Sequence, residues 1–301
     1  MLLGRSLRRE NGVALGWPGS RIAVRARGDV RVRLTETSGE PSVWGVYVGD
    51  DPRPPLVVGA GADEHSIRVG DEDTLVLVRR SEGGETLFRG FAAEVAPCPR
   101  SSVRIEIVGD SIAAGFGLPR GAEQTFGSRL ARDAGADHHV VAASGKGVSR
   151  NHQRGDATTM HALYTRALPG DVAPWDFGAF EPTTIVVYLW TNDFLGDDRR
   201  EPDDASFTGA YRRLLGIIRD NNLRARVVCV VPASVLRSRE RVLSGITRAA
   251  REMRDPDVVV AAPRAASPAE LDGALGHPGP AFHARLAADL TPFMEPRLVL
   301  E

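Results

Sequence analysis

The feature that most constrains this chain is a change of hydrophobic rhythm at Pro97-Cys98-Pro99. From residue 20 to about 95 the apolar residues fall at strand spacing, with turn residues between short runs. Val30, Val32 and Leu34 alternate with Arg31 and Arg33, which sends one row inward and the other to water. Further runs at 43–48, 56–58, 75–78 and 87–91 are separated by clusters such as GDDPRPP and VGDED. Short strands, frequent turns and no sustained helical period predict a β-sandwich over residues 1–97.

Beyond the break, apolar strands alternate with helical stretches. Residues 103–109, 183–190, 226–231 and 257–262 read as central parallel strands, apolar on both faces. Helices are predicted over 122–134, 204–220 and 279–290; in the last, Phe282, Leu286 and Leu290 stack at i, i+4 and i+8. The expectation is a two-domain protein, with a three-layer α/β/α domain and its parallel sheet over residues 98–301. A chain of 301 residues agrees, because about 100–200 residues make one core. Ligands in such open sheets sit at the carboxyl ends of the strands.

Composition narrows the function classes. With 42% hydrophobic residues the chain can offset the entropy of ordering, so it is not disordered. A formal net charge of −1 gives no positive excess to draw it onto nucleic acid or an anionic membrane, and neither is expected as a partner. Cys98 and Cys229 make no disulfide framework and no zinc-ligand spacing, so they read as buried small hydrophobes; no metal or other cofactor is expected. The first residues, MLLGRSLRRENGVALGW, lack the apolar stretch of a secretory signal, and no run reaches the length of a membrane span. A cytoplasmic location is expected, or a secreted one if a signal has been removed.

The first strand of the second region ends in Ile107-Val108-Gly109-Asp110-Ser111. A serine on the turn leaving an apolar strand is exposed at the sheet edge, where its hydroxyl can meet a substrate. Alone, Ser after Asp is more often a helix cap or turn former than a nucleophile. Three more blocks follow at suitable strand ends: Ser144-Gly145-Lys146-Gly147, Thr191-Asn192-Asp193 and His277-Pro278. In this order they resemble the SGNH, or GDSL-type, hydrolases. The resemblance makes Ser111 the nucleophile and His277 the base. It also assigns the Ser111 N–H, the Gly145 N–H and the Asn192 side-chain amide to an oxyanion hole.

More specifically, the chain resembles the acetyl-xylan esterases of carbohydrate esterase family 2, which carry a jelly roll before the SGNH domain. In the first region the likeness rests on Trp17-Pro18-Gly19-Ser20, on Leu77-Val78-Arg79-Arg80-Ser81-Glu82 and on Phe88-Arg89-Gly90-Phe91. In the second it rests on 144–151, on Trp175-Asp176-Phe177 and on Thr191-Asn192-Asp193-Phe194. It implies a serine esterase that removes a small acyl group, acetyl above all, from a sugar, glycoside or sugar-like alcohol. Two other readings stay open: an acyltransferase on the same scaffold with an alcohol or amine in place of water, and a sugar-binding protein with a degenerate catalytic domain.

The chain departs from the family pattern in two places. Trp190 stands where the family usually has glycine, so an indole is expected to line the substrate pocket beside Asn192, together with Asp193. The family also often has an acid two or three residues before the histidine, where this chain has Leu275 and Ala274. The nearest acid is Asp272, five residues before, and reaching the ring requires a sharp fold-back of 273–276. A Ser111–His277 dyad with Nδ1–H held by a main-chain carbonyl and a triad completed by Asp272 are the two alternatives. Other polar groups have plainer readings. His138-His139 is a strand-entry pair, Asp197-Asp198 a solvated loop, and Asp203-Asp204 a helix N-terminus; Trp17, Trp44 and Trp175 belong to the core.

Overall fold

Nine antiparallel strands occupy the first 97 residues: β1 (Leu2–Leu3), β2 (Ser6–Arg9), β3 (Gly12–Leu15), β4 (Arg21–Glu36), β5 (Ser42–Val48), β6 (Asp51–Val58), β7 (His65–Arg79), β8 (Thr86–Phe91) and β9 (Val95–Pro97). The structure, a computed structural model, describes residues 1–61, 63–195, 201–231, 233 and 238–294. The strands run in the order β2-β3-β8-β4-β7-β5-β6, with β1 and β9 paired to the first half of β4 and β8 to its second half. The long strand β4 therefore changes neighbours along its length, with its register to β7 interrupted at Gly28, as sandwich strands do where they bend from one layer to another. Its alternating residues Val30, Val32 and Leu34 are fully buried with Trp44, Leu75 and Leu77, so the inward row expected from the sequence is the core row.

The second region is a parallel sheet of β10 (Arg104–Gly109), β11 (Asp137–Ala142), β12 (Thr184–Tyr188), β13 (Arg226–Val230) and β14 (Val258–Ala261), ordered β11-β10-β12-β13-β14. Successive residues of β12 take opposite faces. Ile185 and Val187 pack with α3 (Met160–Tyr164), α5 (Asp204–Asn221) and α6 (Arg239–Glu252), whereas Val186 and Tyr188 pack with α1 (Ser111–Ala114), α2 (Phe126–Asp133) and α7 (Pro280–Leu290). These are the three expected layers. Phe282, Leu286 and Leu290 are each fully buried, and burial of one such side chain contributes about 1.5–3 kcal/mol. Chain order reverses at β10, whose two neighbours are β11 and β12, and that reversal places a ligand crevice at their carboxyl ends.

The two regions share a polar interface. The buried Arg5 guanidinium meets Glu106 on β10 at 3.1 Å, Trp17 Nε1 donates to Ala167 O at 3.0 Å, and Arg80 meets Glu123 at 2.8 Å. A buried ion pair of this kind fixes one arrangement more than it stabilises it, because each charge has first to leave water.

Several details differ from the sequence reading. Helix α6 was not anticipated, and the 122–134 stretch is divided by Thr125, whose hydroxyl accepts from Ser128 N and starts α2. Cys229 is buried as expected, but Cys98 is only partly so. Asp203 caps α5 by accepting from Ser206 N at 2.8 Å, and His138 and His139 are buried in β11, where desolvation holds both imidazoles far below their ordinary value. Asp197-Asp198 lies outside the described residues. Trp17 and Trp44 are fully buried; Trp175 is half-buried, its ring 5.5 Å from the Arg5 guanidinium.

Candidate active site

Three strand ends and one helix entry converge at the carboxyl edge of the sheet. Gly109 closes β10 where any side chain would collide: a Cβ there would lie 2.4 Å from Ala113 Cβ and 2.8 Å from Tyr188 O. The turn it permits makes Asp110 the cap of α1, with Oδ1 accepting from Ile112 N at 3.0 Å, and puts Ser111 at the first helical position. Burial pushes the Asp110 carboxyl up to about 7, opposed by the Ile112 N–H and the Thr191 hydroxyl. The nucleophile candidate is thus held by its own helix cap.

His277 enters from the segment before α7. Its Nε2 lies 3.1 Å from Ser111 Oγ, the distance of a hydrogen bond between a nucleophile and its base. Phe116 lies against the imidazole, ring centroids 4.7 Å apart. Burial lowers the His277 pKa below 6.5, against the nearby main-chain carbonyls of Ala274 and Leu275, so the ring is neutral and able to accept a proton at neutral pH. Among the described residues, Nδ1 closes no well-formed hydrogen bond. The structure does not bring Asp272 to the imidazole: Asp272 is exposed, and its Oδ1 lies so close to Gly279 that a Cβ there would overlap it at 1.6 Å. The fold-back of 273–276 occurs, with Leu275 and Gly276 at φ +54° and +74°, yet no hydrogen bond or ion pair joins Asp272 to His277 among the described residues.

The donor candidates sit on the strands beside β10. Gly145 follows β11 with φ +76°, a left-handed conformation that any residue with a Cβ adopts only under strain. Its carbonyl accepts from His152 N at 2.7 Å. Asn192 follows β12; its Nδ2 donates to Lys146 O at 2.8 Å, leaving the second N–H of the amide for a substrate oxygen. Ser111, Gly145, Asn192 and His277 are therefore the predicted residues that the architecture gathers.

Trp190 and Asp193 are not substrate-facing, and both assignments are corrected. Trp190 is fully buried in the core formed by α3, α5 and the sheet. Asp193 is also fully buried, its carboxylate accepting from Val148 N (3.0 Å), Ser149 N (2.7 Å), Ser149 Oγ (2.5 Å) and Arg150 N (3.0 Å). Burial pushes its carboxyl up, and those donors oppose the shift. It ties the loop after β11 to the one after β12. The family pattern gave the position of both residues and no direction for their side chains.

Sequence reasoning missed the two side chains that complete this bracing. Asn151 accepts from Gly147 N at 3.1 Å and donates to Asp156 O and Thr158 O at 2.9 and 3.0 Å. Glu82, from the turn between β7 and β8, accepts from the N–H and hydroxyl of Ser144. An acid inside a turn that carries Arg79, Arg80 and Ser81 was the available signal, but its partner lies 62 residues away.

The comparisons with known proteins agree with this geometry. The pattern of the GDSL-like Lipase/Acylhydrolase family matches residues 107–285, which contain Ser111, Gly145, Asn192 and His277. The cellulase/esterase CelE of Acetivibrio thermocellus is 28% identical over 242 residues, or 73% of this chain; the match spans only 29% of CelE's length. An acetylxylan esterase / glucomannan deacetylase of Cellvibrio japonicus is 23% identical over 93% of this chain and 83% of its own. A family two carbohydrate esterase of Clostridium thermocellum, solved with cellohexaose, superposes with a TM-score of 0.88 at 24% identity, over 97% of each chain. Because the matched residues make up more than half of the chain, it belongs to the GDSL-like lipase/acylhydrolase family.

Proposed function

We propose that the chain is a serine esterase that removes an acetyl group from a sugar or sugar-like alcohol, using Ser111 and His277 as a dyad. The observation that carries the reading is the 3.1 Å contact between Ser111 Oγ and His277 Nε2, with Gly145 and Asn192 on the two neighbouring strand ends. As Oγ attacks the ester carbonyl, its proton passes to Nε2 and the carbonyl oxygen becomes an oxyanion. The N–H groups of Ser111 and Gly145 and the Asn192 amide donate to it, and the leaving alcohol takes the proton from Nε2 as the acyl-enzyme forms. Water then gives a proton to the same nitrogen as it attacks the acyl carbon, and on collapse the Ser111 Oγ leaves with that proton from Nε2, releasing acetic acid and restoring the free serine and neutral histidine. The imidazolium is opposed by burial and supported by the main-chain carbonyls of Ala274 and Leu275, with no carboxylate beside it among the described residues.

The acetyl-sugar part of the reading draws on the relatives, two of which are named acetylxylan esterase / glucomannan deacetylase. The test is product analysis over acetylated mono- and oligosaccharides and glycosides, with and without added acceptor alcohols, together with fluorophosphonate labelling of Ser111. Free acetate formed at a rate independent of acceptor supports hydrolysis; acylated acceptor as the main product contradicts it.

A further inference from the structure

The donor side of the site depends on a residue from the other region of the molecule. Glu82 Oε2 lies 2.5 Å from Ser144 Oγ, and Oε1 accepts the Ser144 main-chain N–H. Ser144 directly precedes Gly145, whose N–H belongs to the Ser144–Gly145 peptide. On the far side of that peptide the chain is already fixed, since the Gly145 carbonyl accepts from His152 N and the Lys146 carbonyl from Asn192. The near side is held by Glu82.

Glu82 is itself rigidly supported. The Arg79 guanidinium, fully buried, donates to the carbonyls of Ser81 (2.6 Å), Gly16 (3.1 Å) and Gly83. Ser81 Oγ accepts from Val43 N at 2.7 Å, so the chain on both sides of Glu82 is tied to the antiparallel sheet. Its neighbour Arg80 grips Glu123 in the short helix Gly121–Gln124, against which the α1 turn packs. Burial pushes the Glu82 carboxyl up, countered by the Ser144 hydroxyl and N–H and by Arg79. A carboxylate at this depth is costly unless it is hydrogen-bonded, and both of its oxygens are.

We infer that Glu82 is a positioning residue for catalysis: through Ser144 it sets the direction of the Gly145 N–H, making the N-terminal region part of the oxyanion machinery. The inference rests on the reading of Gly145 as an oxyanion donor. It predicts an effect on the transition state with little effect on the bound ester, because the donor's contact strengthens as charge develops.

The test uses the full chain with an acetyl ester and a trifluoromethyl ketone as an analogue of the tetrahedral intermediate. Glu82→Ala should lower kcat about tenfold to a hundredfold with KM within about threefold, below the 10²–10³-fold typical of deleting a donor outright. Affinity for the ketone should weaken by the same factor as kcat/KM. Glu82→Gln should restore activity to within about fivefold of the parent, because its carbonyl can accept the Ser144 N–H and its amide can donate to Oγ. If Glu82→Ala does not fold, Glu82→Asp, which retracts the carboxylate by one methylene, should lower kcat about tenfold. A folded Glu82→Ala, or failing that Glu82→Asp, with kcat within twofold of the parent overturns the inference, as does a loss confined to KM. Ser111→Ala separates the two claims. If that variant is inactive while Glu82→Ala is unaffected, only this inference falls; if it stays active, the dyad reading falls as well.

Discussion

The two sides of the active site are built in opposite ways. On the donor side, buried carboxylates fix the backbone: Asp193 takes four donors from 148–150, Asp110 caps the nucleophile's helix, and Glu82 holds Ser144. On the base side, among the described residues, no carboxylate bonds to His277 and Nδ1 lacks a well-formed partner, and the preceding segment contains an 86%-exposed leucine in a left-handed conformation. The usual place for an acid in such a site is behind the histidine, where it stabilises the imidazolium. Here the acids brace the strand ends that carry the proposed oxyanion donors, whose preorganisation is often the largest single contribution in acyl transfer.

The largest break in this comparison should come from the residue where the sides meet. Ser111→Ala should lower kcat by about 10⁴-fold or more and abolish fluorophosphonate labelling, read by intact mass and peptide mapping. Trp190→Ala should destabilise the fold by about 3–5 kcal/mol in denaturant unfolding, because a fully buried indole leaves a cavity. Its preference among acetyl, butanoyl and longer esters should not change if enough folded protein remains to assay. Relaxed chain-length selectivity in that variant would return Trp190 to the substrate pocket. Asn192→Ala should cost about 2.7–4 kcal/mol in kcat/KM, mostly through kcat.

Smaller effects sharpen the contrast. Asp193→Asn keeps the size but loses the charge that accepts from three main-chain N–H groups, so it should destabilise by about 2 kcal/mol in the same unfolding assay and lower kcat about tenfold. Leu275→Gly, at φ +54° on the base side, should relieve about 1 kcal/mol of backbone strain and leave kcat/KM within about twofold. A gain of that size before the base, set against a loss on removing Asp193, is the signature of one loose side and one braced side.

Much of this was legible in the sequence. Ser111, Gly145, Asn192 and His277 lie in short motifs at the ends of apolar strands, and a parallel sheet carries such ends to one edge whatever the intervening residues are. The break at 97–99 separated the two sheets because period-2 alternation and continuous apolar runs are different patterns. His138 and His139, which the sequence places at the entry to a strand, lie inside β11, buried between Phe180 and the interface arginines. Trp190 and Asp193 were misread because a motif fixes a position along the chain, while the direction of a side chain depends on what packs against it. The role of Glu82 is not legible in the sequence, since its partner Ser144 comes from another sheet.

The claim that the base works without a carboxylate is tested most directly by kcat/KM against pH for the parent and for Asp272→Asn. Burial lowers the His277 pKa, and only the neutral ring can accept the Ser111 proton. Activity should therefore hold as pH falls through 6.5 and decline only below it. The two profiles should superpose, with plateau values within about twofold, because Asp272 is exposed and makes no hydrogen bond to the ring among the described residues. An acid limb above 6.5 in the parent that moves down in Asp272→Asn, with a plateau loss of about a thousandfold, would make Asp272 the third member of a triad and contradict the account.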